Sequence, residues 1–199
     1  MKVIAAFDFD GTITKKDTLL EFIKFSRGKW RFYGGFLLIS PLLVAMKLKI
    51  YPNWEVKQRF FSYFFKGVSI ETFNHWGKEF SLEIEKVLRH QAIEKLAFHK
   101  KQGDKIIIIS ASIENWIRPW AEKANIDTII ATKIETDKNG LLTGSFLTKN
   151  CYGQEKVNRL LAEFPKRNEY RLVAYGDSHG DKELIDFADN GYYIMQKNE

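Results

Sequence analysis

Five short apolar runs, each flanked by polar or glycine-containing residues, constrain this chain more than any other feature. They are Val3–Phe9, Lys105–Ser110, Thr128–Thr132, Arg171–Gly176 and Gly191–Ile194. The first ends in an acidic turn, and the second carries four consecutive isoleucines. Short runs without apolar–polar alternation are the mark of strands covered on both faces, which belong to parallel sheets. Helical patterns lie between them at Gln91–Gln102, Glu114–Asn125, Gln154–Phe164 and Asp181–Asp189, with Gly103 as a C-terminal stop for the first. Lys133–Leu147, centred on Lys138-Asn139-Gly140, predicts a β-hairpin. The fold class expected is α/β, a doubly wound parallel sheet that gathers ligands at the carboxyl ends of its strands.

Residues 14–90 break the alternation: no strand is evident, and the stretch is dense in Phe, Tyr and Trp. Inserted directly after the first strand's loop, it predicts a helical cap over the sheet's carboxyl edge. The division expected is a core of 1–13 and 91–199 with a cap of 14–90. A length of 199 residues with 45% hydrophobic content suffices for one domain with an insertion. The single cysteine excludes a disulfide scaffold and a Cys₄ or Cys₂His₂ zinc site, and it fits a reducing compartment. The first apolar run is too short for a signal peptide and is interrupted by Asp8 and Asp10, so a cytoplasmic location is expected.

The residues able to carry chemistry fall at the ends of the runs. Asp8-Phe9-Asp10-Gly11-Thr12 offers two carboxylates in a turn, a pair able to act as nucleophile and general acid/base. Ser110 ends the second run, Lys156 opens a later helix, and Gly176-Asp177-Ser178-His179-Gly180-Asp181 supplies a second acidic loop. Two facing acidic clusters repel unless a cation lies between them, and oxygen donors of this kind suit Mg²⁺. Serine and lysine suit a phosphoryl group.

In this order, Asp8-x-Asp10-Gly11-Thr12, Ser110, Lys156 and Gly176-Asp177-Ser178-x-x-Asp181 resemble the haloacid-dehalogenase superfamily of phosphatases. The helical insertion resembles its subfamily IB, the phosphoserine-phosphatase-like branch. The resemblance implies a HAD-like (Rossmannoid) sheet in which Asp8 attacks phosphorus and forms an aspartyl-phosphate, while Asp10 serves as acid and then base. It also implies Mg²⁺ held by Asp8, the main-chain carbonyl of Asp10 and Asp177, with Asp181 bracing that set. Thr12, Ser110 and Lys156 would bind phosphate. Phosphoserine phosphatases carry an acidic residue where this chain has Asp17, and a cap arginine for which Arg59 is the candidate. Their last loop also has an asparagine where this chain has Gly180.

Charge and apolar patterning bear on the substrate. The net charge of +6 (31 Lys+Arg against 25 Asp+Glu) is concentrated in residues 15–66, with 11 basic and three acidic residues, a net of +8. The same segment contains Phe32–Met46, 15 residues without a charge, flanked by Lys29, Arg31, Lys47 and Lys49. It is shorter than the roughly 20 residues of a spanning helix and contains Pro41, so it fits either a membrane-interfacial element or a pair of buried cap helices. A cap of this kind is similar to that of the phosphatidylglycerophosphatase C type. The partners expected are therefore a phosphorylated small molecule or lipid headgroup, with peripheral contact to an anionic membrane at its inner face. A phosphoserine or other small-metabolite phosphatase is the alternative, and a non-catalytic phosphate-binding scaffold is the alternative of another class. Nucleic acid is not expected, because the acidic clusters would repel it.

Overall fold

In the computed structural model, residues 2–48, 50–126 and 128–194 are described. The strands are β1 (Lys2–Phe7), β2 (Lys105–Ile113), β3 (Thr128–Thr132), β4 (Ile134–Thr136), β5 (Leu142–Phe146), β6 (Tyr170–Gly176) and β7 (Asn190–Tyr193). The helices are α1 (Thr18–Arg27), α2 (Lys29–Lys47), α3 (Asn53–Phe65), α4 (Ile70–Glu85), α5 (His90–Gln102), α6 (Glu114–Lys123), α7 (Gln154–Glu163) and α8 (Lys182–Phe187). Five strands pair in the order β3-β2-β1-β6-β7, all parallel.

Both sheet faces are covered, which is why the strands do not alternate in sequence. Ala5, Phe7, Ile106, Ile108, Val173 and Tyr175 point into one apolar layer, shared with α5, α6 and the inserted helices. The intervening Ile4, Ala6, Ile107, Ile109, Leu172 and Ala174 point into a second layer, closed by α7 and α8. Gly103, at φ +72°, ends α5 as expected. The second strand differs from expectation: β2 runs on past Ser110 to Ile113, with an irregular register against β3 between Ile109 and Ile113.

The helices α1–α4 follow β1 and are bound to the sheet layer by aromatic packing. Phe22 of α1 is fully buried, with its ring 4.8 Å from Trp116 of α6 and 5.2 Å from Phe73 and Phe80 of α4. Of the aromatics between Trp54 and Phe65, Phe60, Phe61, Phe64 and Phe65 are core, while Trp54 and Tyr63 are exposed. The hairpin β4–β5 forms where predicted, but it bonds to the loop between α3 and α4. Gly67 N donates to Leu142 O (2.8 Å), Leu142 N to Val68 O (2.8 Å) and Ile70 N to Gly140 O (2.9 Å).

If Phe22 joins the inserted helices to the sheet layer, Phe22→Ala leaves a cavity that costs about 3–5 kcal/mol. The urea midpoint should fall with the m-value unchanged. A loss below about 1 kcal/mol would show that the ring cluster is not a joint of this kind.

Candidate active site

The site is assembled at the carboxyl ends of β1 and β6. Asp8 directly follows β1, and its N–H still donates to Tyr175 O of β6 at 2.9 Å. Lys156 lies in the first turn of α7 with its side chain directed inward, the residue being only 1% exposed. Its Nζ donates to Asp8 Oδ1 at 2.7 Å and to Asp181 Oδ1 at 2.5 Å. The other oxygen of Asp181 accepts from Ser178 N (3.0 Å), Ser178 Oγ (2.9 Å) and Asp177 N (3.2 Å), so this carboxylate braces the loop. Thr12 Oγ1 donates to Asp177 Oδ1 at 3.1 Å. Gly11 is required between them: at φ +81°, a Cβ there would fall 2.1 Å from Asp177 Oδ2. Arg89, buried at the start of α5, fixes the turn by donating from Nε to Gly11 O (3.1 Å).

Asp10 faces a different set of partners. Its Oδ1 accepts from Thr18 N (3.0 Å) and Thr18 Oγ1 (2.6 Å), and its Oδ2 accepts from Ser112 Oγ. Trp116 Nε1 donates to Thr18 Oγ1 at 3.0 Å, fixing the direction of that hydroxyl's proton. Ser110 Oγ accepts from Ser112 N (3.1 Å), which leaves its own proton to donate into the cleft.

Burial governs the electrostatics. It pushes Asp8 up to about 6, with Lys156 pulling it down and Asp181 adding to the rise. It pushes Asp10 up to about 7, with Asp17 adding to the rise and the bonds from Ser112 and Thr18 opposing it. Asp177 is raised as well, chiefly by burial. Burial alone would lower Lys156, but Asp8 and Asp181 outweigh it and hold the ammonium charged. Carboxylate oxygens of Asp8, Asp177 and Asp181 lie within 4.8 Å of one another, and among the described residues Lys156 is the one buried cation bonded to this group. Hard oxygen donors with an excess of negative charge fit a divalent cation such as Mg²⁺. The side chain of Asp10 is turned toward Thr18 and Ser112 and is not one of these three carboxylates.

These residues form the floor of a cleft of about 740 Å³. Its opposite wall is apolar, built from α1, α2 and α3 and including Leu19, Leu20, Phe36, Leu43, Val56 and Phe60. Asp17 lines the cleft but also caps α1, with its Oδ1 accepting from Leu19 N (2.9 Å) and Leu20 N (3.2 Å). Arg59 is not brought into the cleft: its Nη2 donates to Tyr51 OH at 2.7 Å and its guanidinium lies over that ring. Lys57 lines the cleft instead, donating to Ala111 O at 2.8 Å. Tyr152 covers Gly180 so closely that a Cβ there would fall 2.4 Å from its ring. His179 is exposed and away from the cleft lining, and burial pushes the Cys151 thiol up to about 11.

Sequence reasoning missed Thr18, Ser112, Lys57 and Tyr152. Ser112 carried a usable signal, because two residues beyond Ser110 on a strand returns to the same face. Thr18 was hidden behind the capping signal of Asp17. Nothing local marks Lys57 or Tyr152.

The pattern of the haloacid dehalogenase-like hydrolases matches residues 5–186. The chain is similar to Protein CicA of Caulobacter vibrioides, with 31% identity over 98% of this chain and 87% of that protein. Among solved structures it is similar to a protein of unknown function from Bordetella pertussis (TM-score 0.76, 18% identity, 94% of this chain and 88% of the other). It is also similar to a substrate-bound phosphoserine phosphatase (TM-score 0.67, 18% identity, 98% and 86%). A pattern match spanning most of the chain, with the acids at the sheet's carboxyl edge, settles the assignment: the protein belongs to the haloacid dehalogenase-like hydrolases and stands by fold with their phosphoserine-phosphatase-like members.

Proposed function

We propose that the protein is a phosphomonoester hydrolase that works through an aspartyl-phosphate on Asp8. The observation that supports this most is the contrast between two neighbouring carboxylates. Asp8 is paired with a buried ammonium, whereas Asp10 is held by hydroxyl and amide donors and raised to about 7. Asp8 is thereby kept available as a nucleophile, and Asp10 can carry a proton near neutral pH.

In the first half-reaction, an Asp8 oxygen attacks phosphorus and the bond to the leaving oxygen breaks. Asp10 gives its proton to that oxygen. In the second, Asp10 takes a proton from water as the water attacks phosphorus, and the bond to Asp8 breaks to release inorganic phosphate. Lys156 and the free proton of Ser110 would neutralise charge on the phosphoryl oxygens. Asp8, Asp177 and the carbonyl of Asp10 would hold Mg²⁺, which when bound supplies charge neutralisation for the phosphate, while Asp181 braces the loop. Thr12 acts through Asp177, to which it is bonded.

The apolar wall opposite the acids supports a phosphate ester with an apolar portion, and a lipid-linked phosphate such as phosphatidylglycerophosphate is the specific candidate. Phosphoserine fits less well, because Tyr152 fills the space that a side chain at position 180 would need and Arg59 lies away from the cleft. The polar mouth with Lys16, Asp17 and Lys57 favours another small hydrophilic ester as the second reading.

One assay series separates these readings. With Mg²⁺ present, kcat/KM on alkyl phosphates should rise with chain length, by up to about fourfold per methylene buried against the wall. A flat series would favour the small-metabolite reading. Asp8→Asn should lose at least about 10³-fold in turnover on every ester, and chelation of Mg²⁺ should do the same. Residual turnover near the starting level after either change would contradict the mechanism.

The raised carboxylates also make the metal-free fold sensitive to pH. The fold favours the neutral form of Asp8 and Asp10, so their stabilising contribution is full below their ordinary value of 3.8 and is lost as pH rises through about 6 and about 7. In EDTA, the Tm should fall from pH 5 to pH 8, and Asp10→Asn should fall less. Added Mg²⁺ should restore Tm at pH 8. Equal slopes for the two proteins would show that Asp10 is not raised.

A further inference from the structure

Helix α2 has an apolar face that none of the described residues covers. Trp30, Tyr33, Leu37, Leu38, Val44 and Leu48 are exposed, Trp30 to 91% and Leu37 to 74%. At 3.6 residues per turn these positions fall within an arc of roughly 140° on one side of the helix. Phe32 and Ile39, on the opposite side, are buried against the other inserted helices. Phe36, Leu43 and Met46, to either side of that buried pair, line the cleft. Val44 belongs both to the cleft lining and to the exposed face, so the apolar wall of the cleft continues onto the surface.

We infer that this face docks on the surface of an anionic lipid bilayer. Charge is the first argument. The segment 15–66 that contains α2 has 11 basic and three acidic residues (+8), while the rest of the chain carries −2. Lys29 and Arg31 flank Trp30 and are exposed; Lys49 and the side chain of Lys47 lie outside the described residues. A second copy of the chain would set one basic segment against another. The polar inventory is the second argument. A protein partner of ordinary interface size would exchange about ten hydrogen bonds. On this face, among the described residues, only the Tyr33 hydroxyl and the Trp30 indole N–H are offered, since Ser40 Oγ donates its proton to Leu37 O at 2.7 Å. An acyl region demands no hydrogen bonds, whereas an aromatic residue beside basic ones suits the headgroup level. Among the described residues no helix is long and apolar enough to cross a membrane, so the contact is one of lying on the bilayer.

Docking is independent of the chemistry at Asp8, and the test keeps the two apart. The full chain is co-sedimented at low salt with vesicles of phosphatidylcholine, with or without phosphatidylglycerol. Binding should be at least about tenfold tighter to the anionic vesicles and should weaken as salt screens the charges. The pair Trp30→Ser and Leu37→Gln, at positions exposed in the fold, should keep the melting temperature and hydrolysis of a short aryl phosphate. It should lose vesicle binding about tenfold or more. Asp8→Asn should bind vesicles like the parent. Absence of binding to anionic vesicles, binding unaffected by the pair, or a dimer in sedimentation equilibrium that the pair disperses would each overturn the inference. Vesicle binding in a chain that hydrolyses no phosphate ester would uphold docking and overturn the proposed function alone.

Discussion

One buried ammonium group organises this molecule's polar centre. Lys156 comes from α7, Asp8 from the end of β1 and Asp181 from the loop after β6, and the two bonds of 2.7 and 2.5 Å draw all three to one point. Removing a partner from such a cluster leaves an uncompensated buried charge, which typically costs about 3–5 kcal/mol. The second oxygen of Asp181 then holds the backbone of the 177–181 loop, which places Asp177 against Gly11 and Thr12. Each acidic segment is thereby fixed by the other. The cluster remains short of positive charge, since among the described residues Lys156 is the cation bonded to Asp8 and Asp181, with Arg89 acting on Asp177 without a bond, and that shortfall is the physical case for a divalent cation.

Asp8 and Asp10 are separated by one residue yet occupy unlike surroundings. A charged donor serves Asp8; Thr18 and Ser112 serve Asp10. Thr18 begins α1, the first of the inserted helices, and Ser112 lies in β2, so Asp10 is bonded to both parts of the fold at once. A shift of α1 relative to the sheet would change the partners of Asp10 before those of Asp8. The floor of the cleft belongs to the sheet's edge and its far wall to α1–α3, so its two sides are built from different stretches of chain.

The core was legible in sequence because a parallel sheet covered on both faces must be built from short, unbroken apolar runs. Acidic residues that follow such runs can hardly lie anywhere but at its carboxyl edge. What escaped depends on contacts between distant segments. The attachment of the β4–β5 hairpin to the loop between α3 and α4 leaves no local mark, because it is made by backbone bonds at Gly67, Val68 and Ile70. The extension of β2 past Ser110 was obscured by its irregular register. The resemblance to phosphoserine phosphatases made Arg59 a candidate for substrate recognition, yet the chain sets it on Tyr51 and turns Lys57 into the cleft. The neutral partners of Asp10 were hidden because serine and threonine are common in any strand end or helix start.

The proposed reaction depends on a covalent bond between Asp8 and the substrate's phosphorus. Its most direct test is a quenched reaction of the Asp10→Asn variant with Mg²⁺ and an aryl phosphate, followed by borohydride reduction and peptide mass analysis. A leaving group that needs no proton still lets Asp8 react, while loss of the base at position 10 slows release of phosphate. Acyl phosphate on Asp8 should be reduced to homoserine at position 8 in a large fraction of the protein. Phosphate release with Asp8 unmodified, or reduction at another carboxylate, would contradict the account.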